Sequence, residues 1–587
     1  MEDIYDPLND FASKFRAQFE KVMRETFQEL VDDAGTDIKA NKKTVAELRS
    51  REEELESVES WLGFWQFVRV IFWLVAIGGL AFPLIVGFAH DWQFSRLSQE
   101  LVLALFLAPA AGTFVLALIF IFLNSKIKKY KAQKALLEKS ARELKALAWE
   151  QMKPLNNLYD WDITLRMISK TVPRLEFDPF FTHQRVLDLK QIYDWDDHFN
   201  DSRSVIFANS GLINGNPFVF CKTLKMQWGK KTYTGTKTIR WTTTERAPDG
   251  KWRTVSHSQT LVAEVEAPFP EYFTGTRLIY GNTAAPDLTF SRKKSGYADG
   301  GIGAWLKKRE LKKFSRNLKD DSEYTMMQNE EFEVAFDTKN RNNERQFRLL
   351  FTPLAQRSML ALLRDKIHGY GDDFNFEKVR KINVITADHL SELQLETNPS
   401  RYRHYEFAVA QKTFFEYNRD YFRSIYFAFA PLLCVPMYQQ VRSREDIYGA
   451  EWANRASFWE HESLANFWGQ KHFEHPSCVT NCILKTEEIA RGNGESLVKV
   501  YAHGYRKEQR LTYVEKWGLD GRIHSVPVYW DEYLPVCGTG TFNASEDVNA
   551  SKKAFKPNER AQYIAEKIRE CSSGGNAIYR RSMITKL

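Results

Sequence analysis

Four side chains late in the chain have the types that ligate a soft metal: His472, His475, Cys478 and Cys482. Imidazole nitrogen and thiolate sulfur together can close a tetrahedral shell around zinc. Zinc is therefore the one cofactor to consider. The spacing matches no familiar zinc module, whose ligand pairs come from separate elements, and structural histidines and cysteines are the plainer reading. A second cluster is acidic: Asp194, Asp196, Asp197, His198 and Asp201 in the run YDWDDHFND. Carboxylates so placed could hold a divalent cation or move protons. The plainer reading is a solvated helix end or turn. No phosphate-cradling loop, nucleophile elbow, kinase set or HExxH follows elsewhere. The glycines at Gly300, Gly301, Gly303, Gly538 and Gly540 lack a strand–loop–helix frame. No catalytic motif is present, and the chain leans away from being an enzyme.

The elements that must position these residues are read from periodicity. Residues 230–245 (KKTYTGTKTIRWTTTE) alternate and are rich in Thr, β-branched and aromatic types, which predicts a strand. Pro248-Asp249-Gly250-Lys251 is turn chemistry, and 252–266 follow as the return strand of a long antiparallel hairpin. Residues 329–337 (NEEFEVAFD), 345–351 (RQFRLLF) and 378–386 (KVRKINVIT) read as further strands. Thr352-Pro353 opens a helix through about Asp365, with Thr as cap and Pro in the first turn.

Between these strands lies a basic amphipathic helix, 302–319. It carries Lys307, Lys308, Arg309, Lys312, Lys313, Arg316 and Lys319 against Leu306, Leu311, Phe314 and Leu318. It is a candidate for contact with anionic lipid headgroups, against an ordinary solvated face. Residues 425–440 (IYFAFAPLLCVPMYQQ) are strongly apolar but too short to span a bilayer and are interrupted by Pro431 and Pro436. A buried element is expected there, with an interfacial segment as the alternative.

The order of segments resembles the bacterial membrane-protein family of domain of unknown function 3137. The matching residues are Asn329–Asp337, then Gln346–Pro353 (QFRLLFTP) leading into a helix, and more loosely Gly211-Leu212-Ile213-Asn214-Gly215. The resemblance covers about 10–390 and implies fold and membrane placement, with no activity and no catalytic residues. The segment 395–587 departs from it.

Two uncharged stretches, 70–89 and 101–123, are each long enough to cross a hydrocarbon core of about 30 Å. They predict a transmembrane hairpin flanked by Trp61, Trp65 and Trp92. Lys126, Lys128, Lys129 and Lys131 follow the second stretch, whereas the connection holds only Arg96. The positive-inside rule then places both termini in the cytoplasm of a two-span, multi-pass cell-membrane protein. Neither stretch holds an ionisable side chain, so an anchor is favoured over a channel. Before them, Phe11, Phe15, Phe19, Val22, Met23, Phe27, Leu30 and Val31 form an aromatic helical stripe. It is expected to pack against the cytosolic domain or a partner chain, with a helix lying in the bilayer interface as the alternative, which the local excess of acids argues against. Leu48, Leu55 and Leu62, seven apart, suggest a short coiled coil with segment 125–150 as partner.

Length and charge complete the reading. The chain has 587 residues, suited to two to four domains. The formal charge of +7 is uneven, because residues 1–69 hold 16 acids and 10 bases. Six unevenly spaced cysteines and an acidic N-terminus without a signal-peptide pattern fit a reducing compartment. The expected fold is α+β: a transmembrane hairpin with a helical N-terminal arm and a large cytosolic region containing an antiparallel sheet. Its segments would be 1–66 (arm), 67–124 (hairpin), 125–160 (basic helix), 161–395 (α+β domain) and 396–587 (extension). The leading functional expectation is a membrane-anchored interaction or scaffold protein. Its partners would be the anionic inner leaflet and a protein or a second copy; nucleic acid is disfavoured. A membrane-associated enzyme acting on lipid or a surface polymer and an oligomeric transport component are the alternatives.

Overall fold

The computed structural model describes residues 4–89, 99–196, 198–246, 248, 251–316, 324–441, 455–492, 495–546, 577–579 and 582–586. The helices, in chain order, begin with α1 (Pro7–Asp10), which continues through a π-helical turn, Phe11–Phe15, into α2 (Arg16–Ala34). Then come α3 (Ile38–Ala89), α4 (Gln99–Leu158), α5 (Ile163–Thr171), α6 (His183–Tyr193) and α7 (Gly301–Arg316). They continue as α8 (Glu330–Phe336), α9 (Glu344–Leu350), α10 (Pro353–Arg364) and α11 (Asp388–Glu392). The last are α12 (Phe407–Leu433), α13 (Pro436–Gln440) and α14 (Phe458–Trp468). The strands are β1 (Leu175–Phe177), β2 (Arg203–Ile213), β3 (Asn216–Arg246), β4 (Trp252–Gly281), β5 (Thr289–Arg292), β6 (Phe374–Val379) and β7 (Ile382–Ala387). A second set is β8 (Ile483–Gly492), β9 (Glu495–Trp517), β10 (Ile523–Glu546), β11 (Ala577–Tyr579) and β12 (Ser582–Lys586).

The chain divides into two compact units that share it unevenly. One comprises Met1–Glu29, Asp160–Pro399 and Phe415–Leu587; the other comprises Leu30–Tyr159 and Ser400–Phe414.

The first unit is α+β with two antiparallel sheets, ordered β1-β2-β3-β4-β7-β6-β5 and β11-β12-β10-β9-β8. The expected hairpin is present and longer than predicted. β3 and β4 pair without interruption from Phe218↔Tyr280 to Arg246↔Trp252. β2 covers β3 only as far as Lys225, and β7 meets β4 only from Leu278 onward. Beyond those points the hairpin continues as a free two-stranded ribbon. β9 and β10 form a second ribbon of the same kind, paired from Ser545↔Glu495 to Ile523↔Trp517. Alternation decides how the two meet. Ile239, Leu261 and Ala263 on the first ribbon bury against Val526 and Val528 on the second. The opposite face of β3 presents Thr232, Thr234, Thr236, Thr238, Thr242 and Thr244 to solvent.

Under the first sheet, a core of Phe181, Val186, Leu189, Tyr193, Trp195, Val205, Val219, Ile279 and Trp459 joins α6 and α14 to the strands. The aromatic stripe of the N-terminal segment is also buried here. Phe11 and Phe19 stack on Phe422, Phe15 meets Tyr426, and Phe27 meets Phe415. This explains 425–440: Ile425, Phe427, Phe429, Leu432, Leu433 and Val435 are core residues.

Three expected strands take other forms. Residues 329–337 and 345–351 are the short helices α8 and α9. Asn329 and Asn343 each accept from the amide three residues on, at 3.2 and 3.0 Å, and Glu330, Glu331 and Glu333 suit the positive end of α8. Capping outweighs alternation over so short a run. Residues 378–386 are a tight hairpin, β6–β7, because Arg380 turns the chain at φ 55°. Thr352 caps α10 as expected, accepting from Ala355 N at 3.4 Å.

In the second unit, α3 and α4 lie antiparallel. Trp65 meets Phe122, Trp73 meets Phe120 at 5.5 Å, and Lys134 pairs with Glu59 at 2.7 Å. Leu48, Val58, Leu62, Ile127 and Leu137 are buried. The expected pairing of segment 125–150 with the N-terminal helix is therefore present. The transmembrane hairpin is not upheld, and with it fall the multi-pass cell-membrane placement and the orientation of the termini. Among the described residues no helix is long and apolar enough to cross a membrane. The stretches 70–89 and 101–123 are parts of helices 52 and 60 residues long, which carry charge well beyond them. Apolar length alone does not separate a span from the seam of a long helical pair, and here part of it makes that seam.

Candidate functional site

The acidic cluster is a turn closed by its own side chains. Asp194 caps α6 in the left-handed region, φ 57°, and pairs with Lys381 at 2.9 Å. Asp196 accepts from His198 N at 2.9 Å, and His198 Nδ1 lies 3.1 Å from Asp201. Asp194, Asp196, His198 and Asp201 are all exposed, while Trp195 between them is buried. Asp197 lies outside the described residues. Asp196 and Asp201 thus both meet the His198 ring, at 3.6 and 3.1 Å, while Asp194 turns away to Lys381.

The four soft ligands divide. His472 packs on Trp468 with ring centroids 5.1 Å apart, and His475 Nδ1 is 2.7 Å from Ser477 Oγ. Cys478 and Cys482 alone come together, with their sulfurs 3.6 Å apart. Among the described residues no group of three or more His, Cys, Asp or Glu is placed to hold a metal ion. Burial, and then the neighbouring Cys478, push the Cys482 thiol up to about 12.

The basic helix α7 spends much of its charge inside the protein. Lys307 pairs with Asp337 at 2.8 Å, and Glu330 receives Lys308 at 2.5 Å and Lys312 at 2.8 Å. Arg309 stacks over Trp305, and Lys313 is exposed. The basic face is thus a docking face for α8. On α4, Lys128, Lys129 and Lys131 are exposed and Lys126 lies over the Phe122 ring at 5.5 Å.

Three buried polar groupings were not anticipated. In α14, Glu460, His461 and Glu462 are all buried within an otherwise aromatic helix. Glu462 accepts from Val205 N of β2 at 2.9 Å and from Lys485 Nζ of β8 at 3.1 Å, so one carboxylate binds both sheets. Burial pushes Glu462 up to about 7, with Lys485 opposing the rise. Burial, helped by Arg455 and Arg491, pushes His461 down to about 4. The second grouping is His389, whose Nδ1 meets Asp373 and whose Nε2 lies 3.1 Å from the Ser424 carbonyl. It is stacked on Tyr370 at 4.1 Å. With both ring nitrogens engaged, this histidine ties α11 to α12 and to the loop that leads into β6. The third is Lys378, buried and donating to the carbonyls of Ala284 and Arg380; burial pushes it down to about 7. The FWEHES run is a usable sequence signal for the first, since three ionisable residues in a row within an aromatic helix must include buried ones. The other two depend in part on partners far apart in sequence, Ser424 for His389 and Ala284 for Lys378.

A small-molecule site needs enclosing walls. A depression of about 560 Å³ runs along the π-turn and α2, beside Ala12, Arg16, Glu20 and Arg24, with one helical stretch as its only wall. The surface that collects chemistry is the pair of ribbons. Trp517 and Leu519 at the end of the second ribbon are 70% and 78% exposed, and Ile523, Tyr513 and Tyr529 are exposed beside them. Trp252 is exposed at the end of the first. Residues 228–260 hold seven bases and two acids, and 505–530 hold five bases and three acids. Toward their roots the balance reverses, with Glu264, Glu266, Glu271, Asp531 and Glu532 in the same ribbons. The second ribbon's end is tied to the first, for Leu519 N donates to Gln259 at 2.7 Å and Lys237 donates to the Ser525 carbonyl at 3.1 Å.

Fold and surface together define an α+β protein with a paired β-ribbon arm. No family model, no curated protein and no solved structure matches the chain. The resemblance to the family of domain of unknown function 3137 thus rests on the residues that suggested it, two of whose segments are helices here.

Proposed function

We propose that this chain is an interaction protein whose ribbon arm docks onto an acidic protein surface bearing an apolar patch. The observation that carries the reading is the coincidence, at the ribbon ends, of exposed Trp517, Leu519, Ile523 and Trp252 with a local excess of bases over acids. Tryptophan, tyrosine and arginine dominate binding energy at interfaces, and opposite charge speeds encounter. The aliphatic members favour protein over nucleic acid, since Leu519 and Ile523 require an apolar surface to cover them. Charge disfavours a second copy meeting arm to arm, because the like-charged arms repel.

The test compares crosslinked partners of the intact chain with those of a Trp517→Ser, Leu519→Ser double variant at matched melting temperature. The reading expects a protein retained by the parent, lost from the variant and insensitive to nuclease. Capture of the same set by both forms overturns it. So does loss of all captured material on nuclease treatment, or arm-dependent self-association in sedimentation.

A further inference from the structure

We infer that Cys478 and Cys482 form a reversible redox pair, a thiol modification site at the root of the second ribbon. The two sulfurs are already in contact at 3.6 Å. A disulfide needs about 2.05 Å, so the sulfurs must close the remaining gap on oxidation. The strand beneath them is shaped for both atoms. A Cβ on Gly504 of β9 would overlap Cys478 Sγ and would lie 3.0 Å from Cys482 Sγ, so glycine leaves the space they occupy. Cys478 is half-buried and Cys482 buried. The outer thiol therefore meets an oxidant first and the inner one resolves it.

With a hydroperoxide as oxidant the steps balance. The Cys478 sulfur attacks one peroxide oxygen, the O–O bond breaks, and Cys478 sulfenic acid and an alcohol or water form. Cys482 sulfur then attacks the sulfenic sulfur; its proton and the departing hydroxide leave as water, and the S–S bond forms. A dithiol reductant reverses this, returning two thiols and becoming a disulfide itself.

The pair flanks Thr480, which ties the ribbons at their base. Its Oγ1 accepts from Tyr272 OH of β4 at 3.1 Å and from Tyr505 N of β9 at 3.0 Å. Drawing the sulfurs together moves the loop that holds this joint.

The experiment treats the full chain with hydrogen peroxide and maps peptides without reduction, with dithiothreitol as the reverse arm. The expected result is a 478–482 peptide lighter by two hydrogens, restored by the reductant, with altered hydrogen exchange over 268–276 and 500–508. In Cys478→Ser the linkage is absent and Cys482 remains a thiol at the same dose. Mapping of the unaltered chain decides the matter even where a variant folds poorly. Sulfinic acid at Cys478 without a linkage, a Cys482–Cys537 linkage, or oxidation confined to the exposed Cys537 overturns the proposal.

Discussion

Glu462 and His461 are adjacent buried groups whose charges act on stability in opposite directions. The glutamate is held at about 7, above its unfolded value of 4.5, so its contribution is complete below pH 4.5 and is lost as pH rises through 7. The histidine is held at about 4, below 6.5, so the folded state loses stability as pH falls from 6.5 through 4. Between pH 4.5 and 6.5 the two slopes oppose. Replacing Glu462 with Gln should unmask the histidine. Denaturant titrations at several pH values should show the stability of wild type relative to the variant falling steadily from pH 4.5 to 7. A constant difference would mean that the carboxylate is not charged in step with solvent. Phe19 offers a test by packing alone. It is fully buried and stacked on Phe422 at 4.1 Å and 11°. Phe19→Ala should remove about 3 kcal/mol, the usual range for a buried aromatic, read as a lower denaturant midpoint with unchanged slope.

At the scale of elements, the ribbons depend on close approach. Gly235 of β3 lies where a Cβ would overlap the Pro527 carbonyl and come within 2.9 Å of Val528 Cγ2. Gly235→Ala should force the ribbons apart at a cost of about 1–3 kcal/mol, and amide exchange should rise along 526–531 before the rest of the sheet is affected. Much of this was legible in the sequence. Threonine alternation over 232–244 and the turn at 248–251 announced the first hairpin; the stripe Phe11–Phe27 announced a buried helix; Thr352-Pro353 announced a capped one. What was not legible has a common cause. Glu330–Phe336 alternates like a strand, and only Asn329 and the acids of the first turn favour the helix, by a margin that seven residues barely express. Lys307, Lys308 and Lys312 looked like a free cationic face because their acids, Asp337 and Glu330, come from another helix. The apolar runs at 70–89 and 101–123 met a length criterion, and length carries no information about the partner helix. Of the candidate ligands, Cys478 and Cys482 converge while His472 and His475 find partners of their own, a distinction that spacing cannot make.

For the whole molecule, the outer parts of the ribbons carry more bases than acids and should bind accordingly. Affinity for an acidic partner should fall as salt rises, through slower association, while loss of Trp517 or Leu519 should chiefly speed dissociation. Surface-plasmon measurements at two salt concentrations separate these effects; equal salt sensitivity in a variant lacking Lys516 and Arg522 would argue that the charges act elsewhere.

The division of the chain also sets an order of events during synthesis. Ile4 N donates to Gln439 of α13 at 2.8 Å, a partner 435 residues later, and the stripe Phe11–Phe27 waits for Phe415, Phe422 and Tyr426 of α12. A ribosome adding roughly 5–20 residues per second leaves those rings without their mates for tens of seconds or more. A segment made about 400 residues before its partners is among the last to find its place. Throughout that interval the nascent chain displays a row of phenylalanines whose burial depends on residues not yet made.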